Sequence, residues 1–390
     1  MPATTSSLDF WKTPLRFFAS LRLTVVCLGF GMLLVFLGTL AQVNFGIHAV
    51  QARYFQSLLI FWSPPGANWS IPILPGGYVL GTVLLLNLLA AHATRFQFSR
   101  KKIGIILLHF GVILLLIGQL LTGLLARETQ MRIDEGQTLG YSESPREVEL
   151  AVIDATDPGF DQVVAIPEKV LARGGTIQNS TLPFTLQIRQ FLPNSRLTMR
   201  SQEPQAPPSP ATTGFGPNIV VAEVPRTVKD DERDLSAAFV ELKGAQGSLG
   251  TWLVSNAIPD SQSFRVNGHH YALVMRQRRF YKQFALTLLH FAHDRYAGTD
   301  IPKNFSSRVR LSDLERGENR EVLISMNDPL RYRGFTFYQA GFDRNDKTTI
   351  LQVVRNPAML LPYIACGLVA LGLVTQFSMH LFGFVKKRSR

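Results

Sequence analysis

The chain has 390 residues, of which 46% are hydrophobic and 17% charged, and its formal net charge is +12. A charged fraction well below the usual quarter of a soluble protein argues against an ordinary cytosolic enzyme. Four windows contain no Asp, Glu, Lys or Arg: residues 23–52, 54–94, 103–126 and 356–385. Each is long enough to hold a membrane-spanning helix of about 20 apolar residues.

The placement of the basic residues argues against nucleic acid as a partner. Residues 125–355 carry 28 basic and 27 acidic side chains, so this region is nearly neutral. Apart from Arg53, the remaining basic residues lie at the N-terminus, at 95–102 and at 386–390. Basic residues that flank apolar spans mark the cytoplasmic side of a membrane. Both termini are therefore predicted to be cytoplasmic.

These windows predict an α+β membrane protein with four transmembrane helices and a large extracytoplasmic β-rich domain inserted between helices 3 and 4. The first apolar run is too long for the core of a cleaved signal peptide, so it is interpreted as a retained span. The predicted segments are a cytoplasmic N-terminus at 1–22, spans at about 23–42, 77–94 and 103–123 with an outer loop at 43–76, the β-rich domain at 125–357, the fourth span at 358–385 and a basic cytoplasmic tail at 386–390.

Short alternating apolar runs predict the strands of the outer domain. Examples are EVELAVI, FTLQIRQF, AAFVELKG and TTILQVV, separated by Gly, Asn, Asp and Pro. Their spacing of roughly ten residues favours an antiparallel sandwich or a barrel-like domain. The Pro-rich residues 201–217 are predicted to be a disordered or extended excursion. In the outer loop, residues 49–62 predict a short amphipathic helix on the bilayer surface.

The two cysteines, Cys27 and Cys366, both fall inside predicted spans. Their predicted depths are too different for a disulfide, which needs Cα atoms within about 7 Å. The outer domain contains no cysteine, hence no CxxC redox pair. The chain is therefore not expected to act as a thiol reductant.

His109 is the candidate site residue that stands out, because it lies within the uncharged third span. An imidazole in hydrocarbon is costly and tends to face a helix bundle, a cavity or a ligand. Two interpretations stay open: a histidine bonded to a neighbouring helix, and a neutral imidazole that ligates a haem iron. His92 and His380 are weaker haem-ligand candidates, since both lie close enough to a span end to be interfacial. Arg95, Arg100, Lys101 and Lys102 could meet haem propionates, although membrane anchoring also explains them.

Other patterns have structural interpretations. Gly104, Gly111 and Gly118 recur every seven residues and favour close helix packing. His290 and His293 have a spacing that suits one helical face, yet no third metal ligand is evident, and their role stays open. The NG before His269 predicts a hairpin turn. No catalytic motif of the common hydrolase, nucleotide-binding or zinc-protease types is present.

As a set, the motifs resemble the ResB (CcsB) family of System II cytochrome c biogenesis proteins. The stretches that carry the resemblance occur in order: FASLRLTVVCLGFGMLLVFLGTLAQ, LHFGVILLLIGQLLTG, the EG of RIDEGQ, YAGTDIPKNFSSRVRLSD, ISMNDPLRYRGFTFYQAGFD and TTILQVVRNPAMLLPYIACGLVALGL. Residues 147–282 carry much less of this signal.

The resemblance implies a subunit of the bacterial cytoplasmic (inner) membrane that pairs with a CcsA/ResC-type membrane protein. Such pairs export haem b and attach it to apocytochrome c, with a thioredoxin-like thiol reductant as a further conceivable partner. His109 looks like the third-span histidine that, with a partner histidine, is thought to ligate the haem. Because this chain lacks a tryptophan-rich haem-handling segment, the resemblance implies a non-catalytic subunit of a holocytochrome c synthase complex.

A membrane-anchored scaffold or sensor is the alternative function. Its outer β domain would bind a protein or small ligand without haem, and His109→Ala would then be neutral. Transport of a small solute is disfavoured because the spans carry no paired buried charges.

Overall fold

The structure, a computed structural model, describes residues 14–64, 69–95, 99, 102–228, 232–296, 298, 302–343 and 347–389. The side chains of Arg95, Arg295 and Pro302 lie outside this description. The chain divides into two compact units, Met1–Arg127 with Arg355–Arg390, and Glu128–Val354.

The first unit is helical. Its long helices are α1 (Leu21–Val50), α2 (Gly77–Arg95), α3 (Ile103–Leu125) and α5 (Leu361–Arg388), while α4 is a short helix of the other unit, Glu168–Arg173. The four long helices are apolar and long enough to cross a membrane. This confirms the four predicted apolar helices. Cys27 and Cys366 are both free, as expected.

The segment after the first predicted span differs from the expected outer loop at 43–76. α1 continues to Val50 and bends at Gly46, which has φ 73° and ψ 163°. A π-helical turn at Gln51–Phe55 follows, and then an antiparallel hairpin of β1 (Leu59–Trp62) and β2 (Ile71–Pro75).

Tertiary contacts explain why this segment is a hairpin and not the predicted surface helix. Ile60 is 2% exposed and packs in a cluster with Leu34 and Leu80. Arg53 Nη2 donates a hydrogen bond of 2.9 Å to the carbonyl of Phe61. A glycine tolerates the positive φ that lets the chain turn at residue 46. The hairpin is therefore anchored by packing on α1 and α2.

The glycines of α3 form its contact with α5. Gly104, Gly111 and Gly118 are buried. A Cβ at Gly104 would lie 2.8 Å from the backbone nitrogen of Gln376, and one at Gly111 would lie 2.7 Å from Cγ2 of Val369. Such distances leave no room for a methyl group, so the glycines permit close helix approach. This supports the predicted packing role of the glycines.

We expect Gly104→Ala and Gly111→Ala to lower the thermal stability of the purified protein in detergent. Each added methyl would overpack the α3–α5 contact at a cost of about 1–3 kcal/mol, more than the gain of about 1 kcal/mol in helix propensity. Gly367→Ala is the matched control, because a Cβ there meets nothing within 4 Å. Equal melting temperatures for all three variants would contradict the close-packing interpretation.

The second unit is built from antiparallel strands. They are β3 (Arg127–Asp134), β4 (Thr138–Asp154), β5 (Gln162–Pro167), β6 (Gly175–Ile177), β7 (Phe184–Leu192), β8 (Ser195–Met199), β9 (Ile219–Glu223), β10 (Ala237–Gly244), β11 (Gly247–Ser255), β12 (Gln262–Val266), β13 (His269–Arg295), β14 (Pro302–Asp313), β15 (Glu318–Ser325), β16 (Leu330–Tyr332), β17 (Phe335–Phe342) and β18 (Thr348–Arg355). This confirms the predicted β-rich character.

A ten-stranded sheet in the order β15-β14-β13-β4-β3-β18-β17-β16 forms the framework, with β12 beside β13 and β5 beside β4. A four-stranded sheet has the order β11-β10-β7-β6, and β8 pairs with β9. The 27-residue strand β13 contributes to two cores. In the first, Leu273 of β13 packs with Leu186 and Val240 of the four-stranded sheet, as in a sandwich. In the second, Leu286 of β13 packs with Phe337.

The Pro-rich residues 201–217 form an irregular, largely exposed excursion that is held at defined points, so the disordered alternative of the prediction is wrong. The guanidinium of Arg200 donates hydrogen bonds to the carbonyls of Ala206, Pro207 and Pro217 at 3.2, 3.0 and 3.1 Å. Ala211 is buried. The arginine fork supplies donors for carbonyls next to prolines, which have no N–H of their own.

The predicted NG turn is present between β12 and β13. Asn267 and Gly268 have φ values of 49° and 82°, the pair of positive φ angles that a two-residue hairpin turn requires. Val266 pairs with His269 across the turn. His269 and His270 therefore begin β13, as expected.

Candidate functional site

Helices α2 and α3 bring His92 and His109 together. Their ring centroids are 5.2 Å apart and the rings meet edge to face at 67°. Both residues are partly buried. Sequence analysis identified both histidines, but their contact depends on how the two helices pack.

Each ring is held by its own helix. Nδ1 of His92 lies 2.8 Å from the carbonyl oxygen of Leu88, and Nδ1 of His109 lies 2.8 Å from that of Ile105. A carbonyl can only accept, so in a neutral ring the proton sits on Nδ1 and the lone pair on Nε2. This is the arrangement typical of metal-ligating histidines, whose second nitrogen donates to a carbonyl or carboxylate.

His380 has a different environment on α5. Its Nε2 lies 2.8 Å from Nε2 of Gln376, an amide nitrogen that can only donate. The lone pair of His380 Nε2 is thus engaged by Gln376, which makes this nitrogen a poor ligand atom. The site therefore consists of His92 and His109.

The donor set suits a metal whose other ligands come from a prosthetic group. Among the described residues, no group of three or more His, Cys, Asp or Glu could hold a metal ion. A haem iron receives four nitrogens from the porphyrin and needs only axial ligands from protein. One or two imidazoles that hold Nδ1 against a backbone carbonyl fit that need. Of the basic candidates for propionates, Lys102 is exposed, whereas Arg100, Lys101 and the side chain of Arg95 lie outside the described residues.

Asn87, which sequence analysis did not single out, ties α2 to the start of α1. It is 5% exposed, accepts a 2.7 Å hydrogen bond from Thr24 Oγ1, and donates to the carbonyls of Phe18 and Ser20 at 2.5 and 3.0 Å. Asn87 lies five residues before His92 and so fixes the part of α2 that carries it. The sequence feature that could have identified Asn87 is that it is a single amide side chain inside an uncharged apolar span.

We expect Asn87→Ala to destabilise the helical unit, since it removes interhelical hydrogen bonds worth about 0.6–1.7 kcal/mol each in membranes. The melting temperature in detergent should fall by several degrees. Thr375→Ala serves as the control because that hydroxyl bonds only within α5, to the carbonyl of Leu371. An unchanged melting temperature for Asn87→Ala would show that these hydrogen bonds do not contribute to the stability of the helical unit.

The residues His290 and His293 do not share a helical face, because both lie on strand β13. His290 Nδ1 lies 3.0 Å from Glu135 Oε1, whereas the His293 ring lies 4.3 Å from the ring of Phe342. The helical interpretation of their spacing is wrong. The run LLHFAHDR occurs in a sheet because it pairs in register with β14.

A buried ionic cluster lies in the NDPLRYRGFTFYQAGFD region. Tyr332 donates a 2.7 Å hydrogen bond to Asp313 Oδ2, and Arg333 Nη2 donates to Asp313 Oδ1 at 3.2 Å. The Asp313 side chain is completely buried. Arg333 also reaches Glu315 at 2.9 Å. These contacts support a structural role for the region.

The cluster shifts the pKa values of its members. Burial, together with the neighbouring Asp313 carboxylate, raises the pKa of Tyr332 to about 12. Burial alone would raise the pKa of Asp313, but the hydrogen bonds from Tyr332 and the Arg316 backbone, with the charge of Arg333, lower it below its usual value. Asp313 is therefore ionised in the folded protein.

Because the folded pKa of Asp313 is below the unfolded value, its stabilising contribution is present above the unfolded pKa and is lost as pH falls through the folded pKa. Below about pH 4, the unfolding free energy of the wild type should decrease more steeply with falling pH than that of Asp313→Asn, because only the wild type takes up a proton at residue 313 on unfolding. Asp161→Asn, at an exposed position, should retain the wild-type slope. Parallel curves for wild type and Asp313→Asn, measured by denaturant unfolding at several pH values, would contradict the coupling.

Comparison with known proteins places this region in a family. Residues 242–350 match the ResB-like family. Over these residues the chain is similar to the ResB-like family. This confirms the resemblance that the sequence motifs indicated. The matched residues run from β10 to the start of β18, so they include the Asp313 cluster, while His92 and His109 lie outside them.

Two kinds of relative are similar to this chain. Protein NrfI of Wolinella succinogenes is 34% identical over 112 residues, 27% of this chain and 12% of NrfI. Cytochrome c biogenesis protein CcsB of Synechococcus elongatus, and its counterpart from another Synechococcus strain, are 35% identical over 103 residues, 26% of this chain and 22% of each relative. The matches thus span less than a quarter of each relative's length.

Proposed function

We propose that the chain is a membrane subunit of a System II cytochrome c maturation complex. In this proposal it works with a CcsA/ResC-type partner, carries haem b through the membrane and presents it for attachment to apocytochrome c. The ResB-like match and the name of the cytochrome c biogenesis relative support the process. The charge distribution supports a bacterial cytoplasmic membrane location with both termini inside and the β-rich unit outside.

The observation that carries the haem proposal is the His92–His109 ring pair inside apolar helices. An imidazole inside a membrane span is energetically costly, and such residues are by default candidates for a functional site. The Ile105 carbonyl holds His109 in the tautomer that offers Nε2 to iron. His109 is the proposed axial ligand. His92, in contact with the His109 ring, limits its rotation and is the alternative ligand within this chain.

The remaining chemistry is assigned to the partner. In this proposal haem is the molecule that is transported. A haem iron with two imidazole ligands gives a low-spin spectrum. This chain contributes an oriented imidazole, an α2 helix fixed by Asn87, and a β-rich unit that receives apocytochrome. No residue of the chain is proposed to form the thioether bonds.

Absorption spectra of the protein, purified with a co-expressed CcsA-type partner, test this proposal. We expect a reduced low-spin haem b spectrum in the wild type and at least a tenfold loss of haem per protein in His109→Ala. Haem should return when imidazole is added to His109→Gly, because free imidazole can fill the vacated space. His380→Ala is the matched control, since its ring bonds to Gln376, and it should retain haem.

The other outcomes separate the alternatives. Loss of haem in His92→Ala but not in His109→Ala would identify His92 on α2 as the ligand. Full haem content in both variants, with normal cytochrome c maturation in cells, would overturn haem ligation by this chain and favour the membrane-anchored scaffold. Equal yields and melting temperatures of the variants show that the loss is not misfolding.

A further inference from the structure

The helical unit contains a cavity of about 640 Å³ that the haem proposal does not use. It lies among α1, the turn at Gln51–Phe55, α2 and α3. This volume is within the range of about 300–1,000 Å³ found for small-molecule sites.

The cavity is separate from the histidine pair along the helices. On α3 its first lining residue is Leu116, seven residues beyond His109, or roughly 10 Å at 1.5 Å per residue. On α2 the lining runs from Gly77 to Leu85, before His92. The cavity therefore adjoins the ends of the helices that lead to the β1–β2 hairpin.

The polar groups of the cavity are numerous and uncharged. Four glutamines, Gln42, Gln51, Gln56 and Gln119, line it together with Tyr78. No Asp, Glu, Lys, Arg or His is among the lining residues. All four glutamines are exposed, two of them on α1 and α3 and two in the turn at residues 51–56, so their amides are open to a ligand with polar atoms in this space.

The charge of the lining limits the chemical class of that ligand. A haem carboxylate or a lipid phosphate would need a nearby cation, which the lining lacks. Amides donate and accept hydrogen bonds, and so suit carbonyl or hydroxyl oxygens. Phe55 and Tyr78 offer aromatic surface, and Leu116 and Leu120 add apolar surface for a hydrocarbon tail.

We propose that this cavity binds the head group of a quinone-class amphiphile, a neutral ring with carbonyl or hydroxyl oxygens and an apolar tail. The proposal concerns binding alone and does not depend on haem ligation by His109. It assigns the ring to the space between the aromatic side chains and the oxygens to the glutamine amides.

Gly81 provides a way to close the cavity without disturbing its walls. It lines the cavity, and a Cβ built there meets nothing within 4 Å. A leucine at this position would extend into the open space, and it is a better helix former than glycine. Gly29 is the matched control on α1, because its Cβ also meets nothing within 4 Å and it is not a lining residue.

The test is titration of the full-length protein in detergent with decylubiquinone, followed by quenching of tryptophan fluorescence and by the melting temperature. We expect saturable binding to the wild type and to Gly29→Leu, and at least a tenfold weaker affinity in Gly81→Leu. Gln119→Leu should bind severalfold more weakly, since a hydrogen bond of about 1 kcal/mol corresponds to roughly fivefold. His109→Ala should bind normally, which separates this proposal from the haem proposal.

Three results would overturn the proposal. The first is equal affinity in Gly81→Leu and wild type. The second is that decane competes for the cavity as effectively as decylubiquinone does. This result would indicate an apolar space without specificity for a polar head group. The third is joint loss of haem and decylubiquinone binding in Gly81→Leu with an unchanged melting temperature, which would assign the cavity to the haem.

Discussion

The helical unit depends on one constraint: a polar group inside a membrane span must find its partner within the protein, because the hydrocarbon offers no water. The constraint explains why Asn87 bonds Thr24 and two carbonyls, and why the Nδ1 atoms of His92 and His109 lie against carbonyls of their own helices. The contact between α3 and α5 reflects a second property of the lipid environment. With no hydrophobic effect between helices in lipid, close packing through glycine supplies the attraction.

The family match and the proposed haem site lie in different units. The ResB-like match lies entirely within the β-rich unit, where the buried Asp313, Tyr332 and Arg333 stabilise the turn between β16 and β17. The residues proposed to bind haem, His92 and His109, lie in the helical unit, outside the match. The family match and the proposed chemistry therefore rest on separate observations, and either can be tested without the other.

Sequence patterns predicted the elements whose signals are local. Uncharged apolar windows predicted the four helices, alternating runs predicted the strands, and Asn267-Gly268 predicted the turn before β13. The failures share a physical cause, because contacts with residues outside each local pattern decided them. Ile60 packs against Leu34 and Leu80 and so favours a hairpin, Arg200 binds the carbonyls of the Pro-rich segment, and pairing with β14 places His290 and His293 on a strand.

The sequence by itself determined that a histidine lies in the third apolar span, since composition and periodicity are properties of one segment. It also identified the glycine row of α3 and the ResB-like motifs. Only the tertiary structure decided that His109 meets His92, that His380 is engaged by Gln376, and that four glutamines line one cavity. These juxtapositions depend on the rotation and crossing of whole helices, and packing between helices sets those quantities.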